Sequence, residues 1–113
     1  MSRKVNCDIN VRVNVDLKGS SVQDFVDECS YDFQDTTGNA TVEDIELRDY
    51  KQITPTSYLF TFRTLIRVDE DVEVNSVINE MEYTVESYGL DRGFAVALVT
   101  ETELVDYQIK DSR

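Results

Sequence analysis

Hydrophobic residues recur at every second position through VNCDINVRVNVDL, where Val5, Cys7, Ile9, Val11, Val13, Val15 and Leu17 alternate with polar residues. Period two is the signature of a strand with one dry face and one wet face. Gly19 and Ser20 end it. The next apolar positions, Val22, Phe25, Val26, Cys29 and Phe33, step by three and four. That spacing predicts an amphipathic helix, capped by Ser20 or Ser21 with Gln23 or Asp24 three residues on. TTGN at 36–39 predicts a turn. ATVEDIELRDYKQI then predicts a second strand, with Ile45 and Leu47 toward the core and the irregular pattern of a sheet edge.

After TPTS the pattern starts again. YLFTFRTLIRV alternates Tyr58, Phe60, Phe62, Ile66 and Val68 against Leu59, Thr61, Arg63, Leu65 and Arg67. A second helical stripe follows at Val74, Val77, Ile78, Met81 and Val85, displaced by 52 residues from the first. GLDRG predicts a turn, and FAVALVTETELVDYQI a last strand whose apolar phase breaks near Thr100 to Thr102, as at a β-bulge. The pentapeptides ELRDY (46–50) and ELVDY (103–107) close the two halves, which points to a doubled unit.

Two βαβ units in one sheet predict an α+β fold: a ferredoxin-like β-α-β-β-α-β two-layer sandwich. A four-stranded antiparallel sheet would carry both helices on one face, with a pseudo-twofold internal repeat. At 113 residues the chain is read as a single domain, 1–113, with halves of roughly 1–53 and 56–113.

Composition narrows the chemistry. The chain has no histidine, which removes Ser-His and Cys-His nucleophile pairs and the usual acid–base group near neutral pH. Cys7 and Cys29 fall in buried phases and read as small core residues. There is no glycine-rich phosphate loop, and DEDVE at 69–73 has calcium-loop spacing but Val74 where the tight turn needs glycine. No metal and no cofactor is expected. Asp49 and Asp106, matched in the two pentapeptides, are the least arbitrary carboxylate pair, though charges on sheet edges also discourage aggregation. No apolar run is long enough to cross a bilayer, and the alternating N-terminus lacks a signal segment, so a cytoplasmic location is expected.

Charge is the strongest feature: 23 acids against 11 bases give a net −12. Such a surface repels nucleic acid and anionic lipid and attracts basic proteins. The expected function is therefore a non-enzymatic acidic interaction module, in its sharper form an inhibitor of viral type that mimics nucleic-acid charge. Its partner-binding surface would be the acidic helix faces bearing Asp24, Asp27, Glu28, Asp32, Glu73, Glu80 and Glu82. The alternative is a small anionic ligand or a histidine-free active site on the open sheet face, in a homodimer. Arg12, Arg63 and Arg67 would there make the anion or partner contact, unless they pair across strands with Asp8, Asp16 or neighbouring acids.

Overall fold

The computed structural model describes residues 2–17, 19–90 and 93–110, with side chains given for all of these except 89, 90 and 93–95. The turn expected at GLDRG therefore lies largely outside the described residues. Eight elements follow in the order β1 (Ser2–Asn14), α1 (Val22–Asp27), β2 (Cys29–Asp35), β3 (Ala40–Thr54), β4 (Ser57–Asp69), α2 (Val74–Glu80), β5 (Met81–Leu90) and β6 (Gly93–Lys110).

The clean alternations make the central strands. Val5, Cys7, Ile9, Val11 and Val13 of β1 are fully buried, as are Phe60, Phe62 and Ile66 of β4. These two strands pair antiparallel along their whole length, from Ser2 opposite Asp69 to Asn14 opposite Ser57. Burying a Val, Ile or Phe side chain stabilises by about 1.5–3 kcal/mol, so the β1–β4 ribbon is the main source of apolar burial.

The ferredoxin-like sandwich is not what forms. The six strands make one nearly closed, barrel-like antiparallel sheet in the order β2-β5-β6-β1-β4-β3, and among the described residues only two short helices remain. Each expected helix is cut to about half its length. Helix α1 has the expected cap, with Ser21 Oγ accepting the Asp24 N–H and Asp24 Oδ2 accepting the Ser21 N–H, both at 3.2 Å. It stops at Asp27, however, and Cys29, Tyr31 and Phe33 continue as a strand. Helix α2 likewise stops at Glu80, and Met81, Tyr83 and Val85 continue as β5. Strands β2 and β5 then pair with each other and extend the sheet to six strands, in place of a four-stranded sheet with two long helices on one face.

The repeating unit is accordingly strand–helix–strand–strand, present twice. The ladder registers show its symmetry. Ile9 faces Phe62, while Leu104 of β6 faces Ile9 and Leu47 of β3 faces Phe62. An approximate twofold axis therefore passes through the Ile9–Phe62 pair, and on the other side of the barrel through Asp32 opposite Thr84. Inside, the Phe62 ring meets Tyr31 and Phe33 edge-on at 5.0 Å each, and Phe33 meets Tyr83 at 4.7 Å. Edge-to-face pairs of this kind add about 0.5–1.5 kcal/mol each beyond area burial. The helices pack against the sheet at the same time: the Ser87 hydroxyl of β5 donates to the Phe25 carbonyl of α1 at 2.7 Å.

Candidate functional site

Two surfaces carry the residues singled out above. The first is the outer face of β1 and β4. Arg67 and Arg63 stand four residues apart on β4, and Arg12 faces Leu59, four residues further. At about 3.3 Å per residue, the three guanidinium groups are strung along the ribbon at intervals of roughly 13 Å. They do not converge on one small anion.

Each is also engaged within the chain. Arg12 Nε donates to Ser57 Oγ at 3.2 Å, Arg63 Nε to Asp8 Oδ1 at 3.2 Å, and Arg67 Nε to Glu43 Oε1 at 2.8 Å. Lys4, opposite Arg67 in the ladder, reaches the other Glu43 oxygen at 3.3 Å. The hydrogen bond from Arg67 is the largest influence on the Glu43 carboxyl and, against desolvation and with the help of Lys4, holds it below its ordinary range.

Flanking this ribbon are two small surface pockets that the twofold interchanges. Asn10, Asp49, Tyr50, Lys51, Leu59 and Thr61 line one of about 170 Å³. Arg63, Asp106, Tyr107, Gln108, Asn6 and Asp8 line the other, of about 90 Å³, position for position. Both are built by the repeated pentapeptides. In ELRDY, Leu47 faces Phe62 and Asp49 faces Thr61, which leaves Arg48 as the extra residue of a bulge. In ELVDY, Leu104 faces Ile9 and Asp106 faces Asp8, which leaves Val105 extra. In both, the aspartate Oδ1 accepts the N–H of the following tyrosine at 2.8 Å. The aspartate thus satisfies backbone freed by the bulge, and this is the physical content of the repetition. Asp49 and Asp106 are separated by β1 and β4, three inter-strand spacings of about 4.8 Å or roughly 14 Å, too far for a paired-carboxylate mechanism.

The second surface lies across the barrel. Residues 21–39 hold five acids and residues 69–88 hold seven, and neither stretch contains a Lys or Arg. The β2–β5 pairing puts the two stretches side by side. Asp24 and Asp27 lie on α1, Glu28 is its C-cap, Glu73 is the N-cap of α2 and Glu80 its last residue. Asp32 and Glu82, expected on helices, stand instead on strands β2 and β5. All seven are exposed. Every described Lys and Arg belongs to β1, β3, β4 or β6.

The thiols carry no chemistry of their own. Burial, reinforced by Asp8, pushes Cys7 up to about 12, and burial with Glu86 pushes Cys29 up to about 11, so neither forms a thiolate near neutral pH. Among the described residues no cluster of His, Cys, Asp or Glu is arranged to hold a metal ion, and no helix is long and apolar enough to cross a membrane. The twin bulge pockets and the charge-segregated side escaped the sequence reading. Leu47 to Tyr50 and Leu104 to Tyr107 are inward positions three apart, an odd spacing that signals a bulge. The sidedness of charge depends on the β2–β5 pairing. Comparison with protein-family models, with curated proteins and with solved structures finds no match for this chain.

Proposed function

We propose that this protein is a non-enzymatic interaction module of the cytoplasm, which presents its α1–β2 and α2–β5 side to a basic nucleic-acid-binding protein and takes the place of the nucleic acid there. One observation carries the reading: two stretches related by the internal twofold and brought together by the β2–β5 ladder hold only acids among their charged residues. A surface of one sign draws a basic partner from a distance and raises its association rate.

Dimensions support it. The backbone fills a rod of 48 × 22 × 22 Å, as long as about 14 base pairs at 3.4 Å each. Glu82 and Glu86 on β5 stand about 13 Å apart along the strand, close to the axial rise of four phosphates on one DNA strand. The approximate twofold of the acidic side also suits a partner that receives a duplex, whose two strands are themselves related by dyads.

The test is displacement of a fluorescent duplex from a purified, sequence-nonspecific basic DNA-binding domain. The protein should compete at about 50 mM salt and lose most of its affinity by about 200 mM, the salt response of a phosphate-like ligand. The double variant Asp32→Lys, Glu82→Lys should compete at least tenfold less well. Absence of competition at low salt, or equal competition by the double variant, would contradict the reading.

A further inference from the structure

Strand β6 pairs with β5 only through Gly93 to Ala97 and with β1 through Leu98 to Lys110. Over Asp106–Lys110, where the Tyr107 N–H is met by the Asp106 carboxylate, its other edge has no ladder partner among the described residues, an unpaired strand edge of the kind that templates strand addition. The bulge at Val105 bounds this segment on one side. Its apolar side chains are uncovered: Tyr107 is 45% and Ile109 55% exposed, although they share a face with the buried Cys7 and Val5. The symmetry-related Tyr50 is partly buried, because its hydroxyl donates to Gln23 of α1. The residue equivalent to Gln23 in α2 is Asn75, one methylene shorter.

The charges here are also mismatched. Across the β1–β6 ladder Asp106 faces Asp8, and Lys110 faces Lys4. Like charges directly opposite are destabilising. Asp8 is relieved by Arg63 and Lys4 by Glu43. Asp106 and Lys110 have no ion pair among the described residues.

We infer that Asp106–Lys110 is the contact of a homodimer, two β6 edges pairing antiparallel about a dyad at Gln108. The sequence DYQIK is self-complementary in that register: Asp106 faces Lys110 of the second copy, Tyr107 faces Ile109, and Gln108 faces its counterpart. The alternation of a strand puts both Asp–Lys pairs and the glutamines on one face and both Tyr–Ile pairs on the other. Each pairing is of a type that stabilises neighbouring strands: opposite charges, and an aromatic against a β-branched residue. The contact is short, so the dimer is weak and forms at high protein concentration, in salt that screens repulsion between two bodies of net −12 beyond about 8 Å.

The experiment is sedimentation equilibrium of the full chain at about 0.15 M salt, up to millimolar protein, on the wild type, Asp106→Lys, Lys110→Asp and the double swap. The wild type should self-associate. Each single variant puts two like-charge pairs into the contact and should weaken association at least tenfold, while the double swap restores it. Mixing the two single variants should give a heterodimer, since every charged pair across the contact is then again one lysine against one aspartate. That recovery separates loss of the contact from loss of the fold. A wild type that stays monomeric, single variants that dimerise undiminished, or a mixture that does not associate would each overturn the inference.

Discussion

The Asp35 carboxylate closes the turn between β2 and β3, accepting the N–H groups of Thr37, Asn39 and Ala40 at 2.8–3.2 Å and the Thr37 hydroxyl at 2.9 Å. Burial alone would raise its pKa, but these hydrogen bonds outweigh it and hold the carboxyl below its ordinary range. The same turn needs Gly38 at φ +78°, where an added Cβ meets nothing but backbone strain. Asp35→Ala should cost about 1–3 kcal/mol and Gly38→Ala about 1–2 kcal/mol, read from urea midpoints. The thiols of Cys7, buried, and Cys29, half-buried, act at the other end of the pH scale. In the unfolded chain they ionise near 9.0, but in the fold only near 12 (Cys7) and 11 (Cys29). A raised pKa means that their contribution is full below pH 9.0 and is lost as pH climbs toward 11–12. Burial raises Tyr83 as well, in the same sense. Urea midpoints should therefore fall between about pH 9 and 11, and less steeply in a Cys7→Val, Cys29→Val variant. A midpoint flat over that window would show that the thiols are not buried as described.

At the scale of elements, β1 and β4 were legible because inward and outward residues differ in kind at every step. Strands β2 and β5 were not, because a spacing of four fits both periods: four residues return to one side of a helix and also to one side of a strand. Cys29 with Phe33, and Met81 with Val85, satisfy either. Tyr31 and Tyr83 between them decide the matter, lying off the helical stripe but on the inner face of a strand, and tyrosine favours strands. The alternation C-S-Y-D-F and M-E-Y-T-V was present but outweighed by the capping signal at Ser21, which starts a helix and says nothing of its length. The Thr100 bulge was legible as a phase break, and the register slips there, with Arg12 facing Glu101 and Val13 facing Val99. The arginine trio could be placed on one face from the alternation alone, and so could Asp8 as a cross-strand partner, which Arg63 takes; Glu43 could not, since it reaches Arg67 from a bulge in β3. Strand-type carbon chemical shifts through 29–35 and 81–88 are expected by NMR. Helical shifts running to Gln34 and Ser87 would contradict the six-stranded sheet.

For the molecule as a whole, doubling the strand–helix–strand–strand unit explains why acids collect on one side. Each copy places its acidic stretch on the helix and the strand after it, and the twofold joins these strands as the β2–β5 pair. The net −12 was readable from composition, but its one-sidedness required this pairing, which the expected sandwich lacked. Bases on β1, β3, β4 and β6 leave the opposite side of mixed sign. The most direct measurement is therefore amide chemical-shift mapping during titration of the protein with a basic, sequence-nonspecific DNA-binding domain at low salt. Shifts confined to α1–β2 and α2–β5, and abolished by Asp32→Lys with Glu82→Lys, are predicted. Shifts centred on the β1–β4 ribbon, or none at all, would contradict the account.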